Sequence, residues 1–253
     1  VALDHGDGGK TMSAKKTHRV LITRSDEDSA EWAAELVRRG AEAVSYPCIT
    51  TELIDSPALR DELAKAAAAA DWLVFTSRRG VEAFVELDAK PARQTRIAAV
   101  GSATGHAARA RLGRIDHVGS GTAALLGDSL TALPDFKRGI CCVLALAANA
   151  SARLEQRLKQ AGAVCTRFDV YRTNPTQLRG PKRPLSSLGV DTVLFASPSA
   201  VQGFTNQFDL DVDVSVFTIG SSTTAAARAN GIAVTAESRT PSFEGLLEAM
   251  NGK

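Results

Sequence analysis

The chain writes one short phrase twice. FTSRRGVEAF at Phe75–Phe84 is matched by FASPSAVQGF at Phe195–Phe204, with Phe, Ser, Val and Phe at equivalent places. Phe195 follows Phe75 by 120 residues, and the likeness extends outward from both. GSATGHAARARLG (101–113) resembles GSSTTAAARANG (220–231) at nearly the same separation. Upstream, VLITRS (20–25) and LVRRGAEAVSYPCIT (36–50) answer to VLALAA (143–148) and RLKQAGAVCTRFDVYRT (157–173). Similar βα units can also arise without duplication, but an ordered match over several segments favours one unit used twice. Such a chain is expected to build two similar lobes that face each other.

The local patterns give the lobes their class. Short apolar runs such as RVLIT (19–23) and DWLVFTS (71–77) read as buried strands, and each is followed by a helical stretch. Strands alternating with helices imply parallel sheets with crossover helices, an α/β fold. Ser25 is an expected N-cap, with Trp32, Leu36 and Val37 lining one helix face and Gly40 stopping the helix. Ser56-Pro57 predicts another helix start. Two long extended runs, 41–53 and 163–175, stand apart from this alternation.

Composition excludes several classes of function. A formal net charge of +2 and 5% aromatic residues argue against nucleic acid as a partner. No apolar run approaches the roughly 18 residues of a membrane span. The four cysteines, Cys48, Cys141, Cys142 and Cys165, form no C-x-x-C pair and suggest free thiols in a reducing, cytoplasmic setting. The four histidines show no ligand spacing, so no metal site is expected. Residues 1–16 are expected to be a tag remnant or a disordered N-terminus.

The residues that follow the strands are small and polar. They include Arg24, Ser77 with Arg78 and Arg79, Gly101, Ser102 and Thr104, Ser197 and Ser199, and Gly220, Ser222 and Thr223. These turns open helices, whose N-termini carry unpaired N–H groups and partial positive charge. Each Ser or Thr can serve as a plain cap; together, at equivalent places in both copies, they suit a polyanion held between the lobes. Arg78 and Arg79 either add carboxylate contacts or lie exposed. The glycines of Gly119–Ala124 mimic a dinucleotide fingerprint, but no acidic residue follows at the required distance and the second copy lacks them. Neither Ser77 nor Ser197 sits in a nucleophile elbow. Tyr171 ends the second extended run; its phenol could donate a proton to a leaving group, or simply pack at a hinge.

Taken in order, VLITR, FTSRRGVEAF, AAVGSATG, DVYRT, FASPSAV, TIGSSTTA and TAESRTP (235–241) resemble the uroporphyrinogen-III synthase family. The resemblance runs from about Arg19 to Met250. It implies two α/β lobes, with parallel sheets flanked by helices, joined by a two-stranded antiparallel linker. Lobe 1 would be discontinuous, 17–47 plus 175–253, and lobe 2 would be 48–174, with the active site in the cleft between them. It further implies cyclisation of the linear tetrapyrrole hydroxymethylbilane to uroporphyrinogen III, with inversion of ring D and loss of water, without cofactor or metal. The substrate's eight carboxylates would account for the anion-binding turns. The family's favoured proton donor, the tyrosine of a Y-x-T segment, matches Tyr171. Arg24, Ser77, Arg78, Gly101, Ser102, Thr104, Ser197, Ser199, Gly220, Ser222 and Thr223 are the expected substrate-binding residues. The protein would be a monomer that receives its substrate from hydroxymethylbilane synthase. The alternative from another class is a two-lobed sensor of small anions without catalysis.

Overall fold

The run Trp72–Phe75 is buried throughout, and its side chains alternate between two cores: Trp72 and Val74 in one, Leu73 and Phe75 in the other. A strand covered on both faces loses the polar alternation of a half-exposed strand, which is why these runs are continuously apolar. The same division holds in the first strand, where Leu21 joins one core and Val20 and Ile22 the other.

The computed structural model describes residues 17–178 and 180–252, and only the backbone of residues 26–28. The expectation for residues 1–16 therefore lies outside the described residues. The chain opens with β1 (Arg19–Ile22), α1 (Asp26–Arg38) and β2 (Glu42–Ser45). It continues through β3 (Ile49–Leu53), α2 (Pro57–Ala69), β4 (Trp72–Phe75), α3 (Arg78–Glu86), β5 (Arg96–Ala99), α4 (Ser102–Leu112), β6 (His117–Val118) and α5 (Ala123–Thr131). Then come β7 (Cys141–Ala147), α6 (Arg153–Gln160) and the long β8 (Val164–Pro175). The last part holds β9 (Arg183–Pro184), a 3-10 turn at Leu185–Leu188, β10 (Thr192–Phe195), α7 (Pro198–Gln207) and β11 (Phe208–Asp209). It ends with β12 (Ser215–Thr218), α8 (Ser221–Ala229), β13 (Ala236–Glu237) and α9 (Phe243–Asn251).

Two main sheets form, both with helices on each face. One runs β13-β12-β10-β1-β2 and is parallel throughout. The other runs β6-β5-β4-β7-β8, also parallel, with β3 added antiparallel on β8. The two parallel orders match strand for strand, β1 corresponding to β7 and β10 to β4. The copies are therefore interleaved: the opening β1-α1-β2 unit completes the sheet begun by β10, and β7-α6-β8 completes the sheet begun by β4. The β3–β8 ladder, in register from Ile49 with Pro175 to Leu53 with Tyr171, carries the chain between the lobes.

The repeated phrase has a packing reason. Phe75 and Phe84 meet edge to face at 5.6 Å, and Phe195 and Phe204 do the same at 5.2 Å. In each copy the strand's last residue and the helix's second turn are clamped by one aromatic pair. Two local expectations change. Val37 is 62% exposed, because the buried face of α1 follows Ser29, Trp32 and Leu36, and a residue one step further points about 100° away. Ser25 occupies the N-cap position, yet its hydroxyl makes no capping bond; its carbonyl instead accepts from the Ser29 hydroxyl at 2.8 Å.

Candidate active site

A cavity of about 550 Å³ opens at the carboxyl ends of the parallel strands of both sheets. Ligands of open α/β sheets bind in such places, where loops and helix N-termini converge. From one sheet come Arg24 after β1 and Ala196, Ser197 and Ser199 after β10; from the other come Thr76, Ser77, Arg78 and Arg79 after β4, Ser102 and Thr104 after β5, and Asn149 after β7. A further wall is one face of the crossing ladder. Tyr171 and Thr173 alternate inward on β8, and Ile49 and Thr51 do so on β3, with Thr51 opposite Thr173.

The polar groups are held firmly. Ser77 caps α3, its Oγ accepting the Gly80 N–H at 3.0 Å, and the same oxygen lies 2.9 Å from the Tyr171 hydroxyl. Tyr171 is 7% exposed, packed into the core of its lobe while also lining the cavity. Ser197 repeats the arrangement in the other lobe: it accepts the Ala200 N–H at 3.1 Å and pairs with the Ser199 hydroxyl at 3.0 Å. Capping and site roles thus coincide in both serines. Gly80 is required for this packing, since a Cβ there would lie 2.9 Å from the Ala145 carbonyl and 3.2 Å from Ser77 Oγ.

Charge of both signs lines the cavity. Arg24 lies over the Trp32 ring at 4.7 Å, and Trp32 stacks on Phe243 at 4.3 Å, a column that fixes the guanidinium on the wall. Arg78 reaches across to Glu31 of α1 at 3.9 Å, joining the two lobes. Arg79 is tied to its own helix through Glu82 and Glu86. Glu244, at the start of α9, adds a second carboxylate. Among the described residues, no three His, Cys, Asp or Glu side chains gather as metal ligands.

Of the expected binding residues, Arg24, Ser77, Arg78, Ser102, Thr104, Ser197 and Ser199 line this cavity together with Tyr171. Gly101 lines an adjoining hollow of about 560 Å³, which shares Ser102 and Glu244 with the first and is bounded by Gly119–Thr122 and Thr240–Ser242. Gly220, Ser222 and Thr223 line neither. Ser222 is exposed in the first turn of α8, and Thr223 is buried.

A family model for uroporphyrinogen-III synthase HemD matches residues 30–248. The chain belongs to the uroporphyrinogen-III synthase HemD family. A relative from Ruminiclostridium josui, "Porphyrin biosynthesis protein HemD", is 26% identical over 230 residues, covering 83% of this chain and 44% of its own length. The chain thus spans under half of that curated relative. Among solved structures, the uroporphyrinogen-III synthetase of Helicobacter pylori superposes with a TM-score of 0.61 at 15% identity, covering 93% of this chain and 99% of that one. A mutant uroporphyrinogen III synthase of Thermus thermophilus gives 0.56 at 22% identity, covering 94% and 100%. These structures share the two-lobed α/β architecture. No helix among the described residues is long and apolar enough to cross a membrane.

Some cavity residues of this HemD chain were not foreseen from sequence. Thr173 had a usable signal, since it lies two residues from Tyr171 on one strand and must share its face. Thr51 and Asn149 had none: the first depends on the register of β3 on β8, the second on the chain's path after β7. Glu31 and Trp32 reach the cavity from α1, where Trp32 was read only as a core residue, and Phe243 and Glu244 reach it from α9.

Proposed function

We propose that the chain cyclises hydroxymethylbilane to uroporphyrinogen III, with inversion of ring D and loss of water. Family membership supports the reaction class. The observation that carries the chemistry is the 2.9 Å hydrogen bond between Tyr171 and Ser77 on the wall of the interlobe cavity. Tyr171 is the proton donor: as the carbon–oxygen bond of the hydroxymethyl group breaks, the electron pair stays on oxygen and the phenol proton converts it to water. Ser77 can then turn its O–H toward the phenolate oxygen, because its lone pair already satisfies the Gly80 N–H. The helix N-termini of α3, α4 and α7, with Arg24 and Arg78, hold substrate carboxylates. They fix the chain so that ring D closes in reverse, through a spiro-pyrrolenine, before the unassisted closure occurs.

Hydroxymethylbilane, mixed with the protein and then oxidised to porphyrins, tests this by chromatography of the isomers. The expected product is type III. A mixture no richer in type III than the protein-free control would overturn the assignment. The protein is expected to act as a monomer, without cofactor, on substrate released by hydroxymethylbilane synthase. Catalysis should be unchanged after exhaustive dialysis against a chelator.

A further inference from the structure

Away from the cavity, Cys142 of β7 and Cys165 of β8 stand directly opposite each other on parallel neighbours. Cys142 lies in the core on the α5–α6 side of the sheet, and Cys165 packs against that core. Paired parallel strands run about 4.8 Å apart. That lies within the roughly 4.4–6.8 Å of Cα separation that a disulfide spans. The two side chains face each other closely enough that each thiol shifts the titration of the other. Cys142 is 1% exposed, whereas Cys165 is half-buried and meets solvent.

Their surroundings divide the labour. The neighbouring Cys142 thiol, with help from Lys159 of α6, draws the Cys165 thiol below its ordinary value against burial and the opposing charge of Glu155. Lys159 is held in place by Glu155 at 2.6 Å. Cys142 is pushed up by its neighbour Cys165, by burial, and by the charges of Asp71 and Cys141. The thiolate is the reactive form of cysteine, so the accessible partner is the nucleophile and the buried one keeps its proton. By contrast, burial pushes the Cys48 thiol up to about 12, and Cys48 lies in a different core from Cys142 and Cys165.

We propose that Cys165 and Cys142 form a thiol pair that reacts with hydroperoxides, Cys165 as the attacking group and Cys142 as the resolving one. The Cys165 thiolate attacks one peroxide oxygen and the O–O bond breaks. The departing alkoxide or hydroxide takes up the proton that the thiol had released, leaving Cys165 as a sulfenic acid. The charge that held the Cys142 proton is then gone. Cys142 attacks the sulfenic sulfur, the S–O bond breaks, and the hydroxyl leaves as water with the Cys142 proton. In sum, two thiols and one hydroperoxide give a disulfide, an alcohol or water, and a further water. The Cβ atoms of parallel neighbours stand further apart than a relaxed disulfide prefers, so the bond is strained and a dithiol reverses it readily.

The test treats the reduced full-length protein with one equivalent of hydrogen peroxide, blocks remaining thiols, and maps tryptic peptides without reduction. A crosslink is expected between peptides 139–153 and 160–167, with fragmentation placing it on Cys142 and Cys141 still alkylated. Dithiothreitol should restore both thiols. In a Cys142→Ser variant, Cys165 should accumulate a sulfenic acid that dimedone captures. If that variant does not fold, short exposures of the unaltered protein should show dimedone on Cys165 before the crosslink appears. Two free thiols after treatment, a sulfinic Cys165 beside a free Cys142, or a crosslink through Cys141 would each overturn the proposal.

Discussion

Tyr171 is almost wholly buried yet lines the cavity, and its hydroxyl meets Ser77 at 2.9 Å. A phenylalanine fits the same pocket and removes only the oxygen. If Tyr171 gives up the proton, Tyr171→Phe should lower turnover to the type III isomer on the order of 100-fold, the usual contribution of a general acid. Folding stability should change by only about 1 kcal/mol, the net worth of one hydrogen bond. Steady-state assays beside urea unfolding separate the two, and unchanged turnover removes Tyr171 from the chemistry. At this scale the sequence was informative wherever a residue's role is local. Ser77 and Ser197 can be read as caps from the residues around them, and a cap at a strand's carboxyl end faces the crevice. Thr51 cannot be read so, because it reaches the cavity only through pairing with Thr173, 122 residues away. Nor could sequence separate the turn at Ser102–Thr104 from its copy at Ser221–Thr223; the two share a motif and a pattern of exposure, and only the first borders the cavity.

At the level of elements, the decisive contact is between helix α7 and the crossing strands. Gly203 lies in the second turn of α7, and a Cβ there would sit 1.7 Å from the Cys48 carbonyl oxygen. That carbonyl is not free to move, since it accepts the Thr176 N–H at 2.9 Å, while the Cys48 N–H donates to Thr23. The repeat has alanine at the matching place, Ala83. Gly203→Ala should therefore destabilise the protein by about 3 kcal/mol, the upper end of ordinary overpacking. Gly220→Ala, with open space around its Cβ position and an extended backbone, should stay within about 0.5 kcal/mol. Urea midpoints at constant slope measure both, and equal stability of the two variants would contradict the tight crossing. This departure from the repeat was visible in sequence as Ala83 against Gly203. Its meaning was not, because it depends on which segment crosses the helix. The same limit applies to strands: RVLIT is plainly a buried strand, but nothing within it says that its partner is 172 residues away in β10.

For the whole molecule, interleaving makes the two lobes unequal in how they depend on the rest of the chain. Every strand of the six-stranded sheet lies between Ile49 and Pro175, so this sheet is built by one continuous segment. The five-stranded sheet needs both ends of the chain, because β1 lies between β10 and β2. Val20, Leu21, Ile22, Trp32 and Leu36 are all buried in its two cores. At about 1.5–3 kcal/mol for each large apolar side chain, their loss removes on the order of 10 kcal/mol. That equals the whole stability of an ordinary domain, roughly 5–15 kcal/mol. A fragment of residues 48–175 should then unfold cooperatively in urea, with the far-ultraviolet signal of an α/β protein. A fragment of residues 176–253 should show no cooperative transition alone and gain one when a peptide of residues 17–47 is added. Cooperative folding of 176–253 by itself would mean that the N-terminal strand and helix dock onto a finished lobe rather than complete it. The proposed chemistry would then rest on a lobe whose wall, carrying Arg24 and Glu31, is an accessory instead of part of its core.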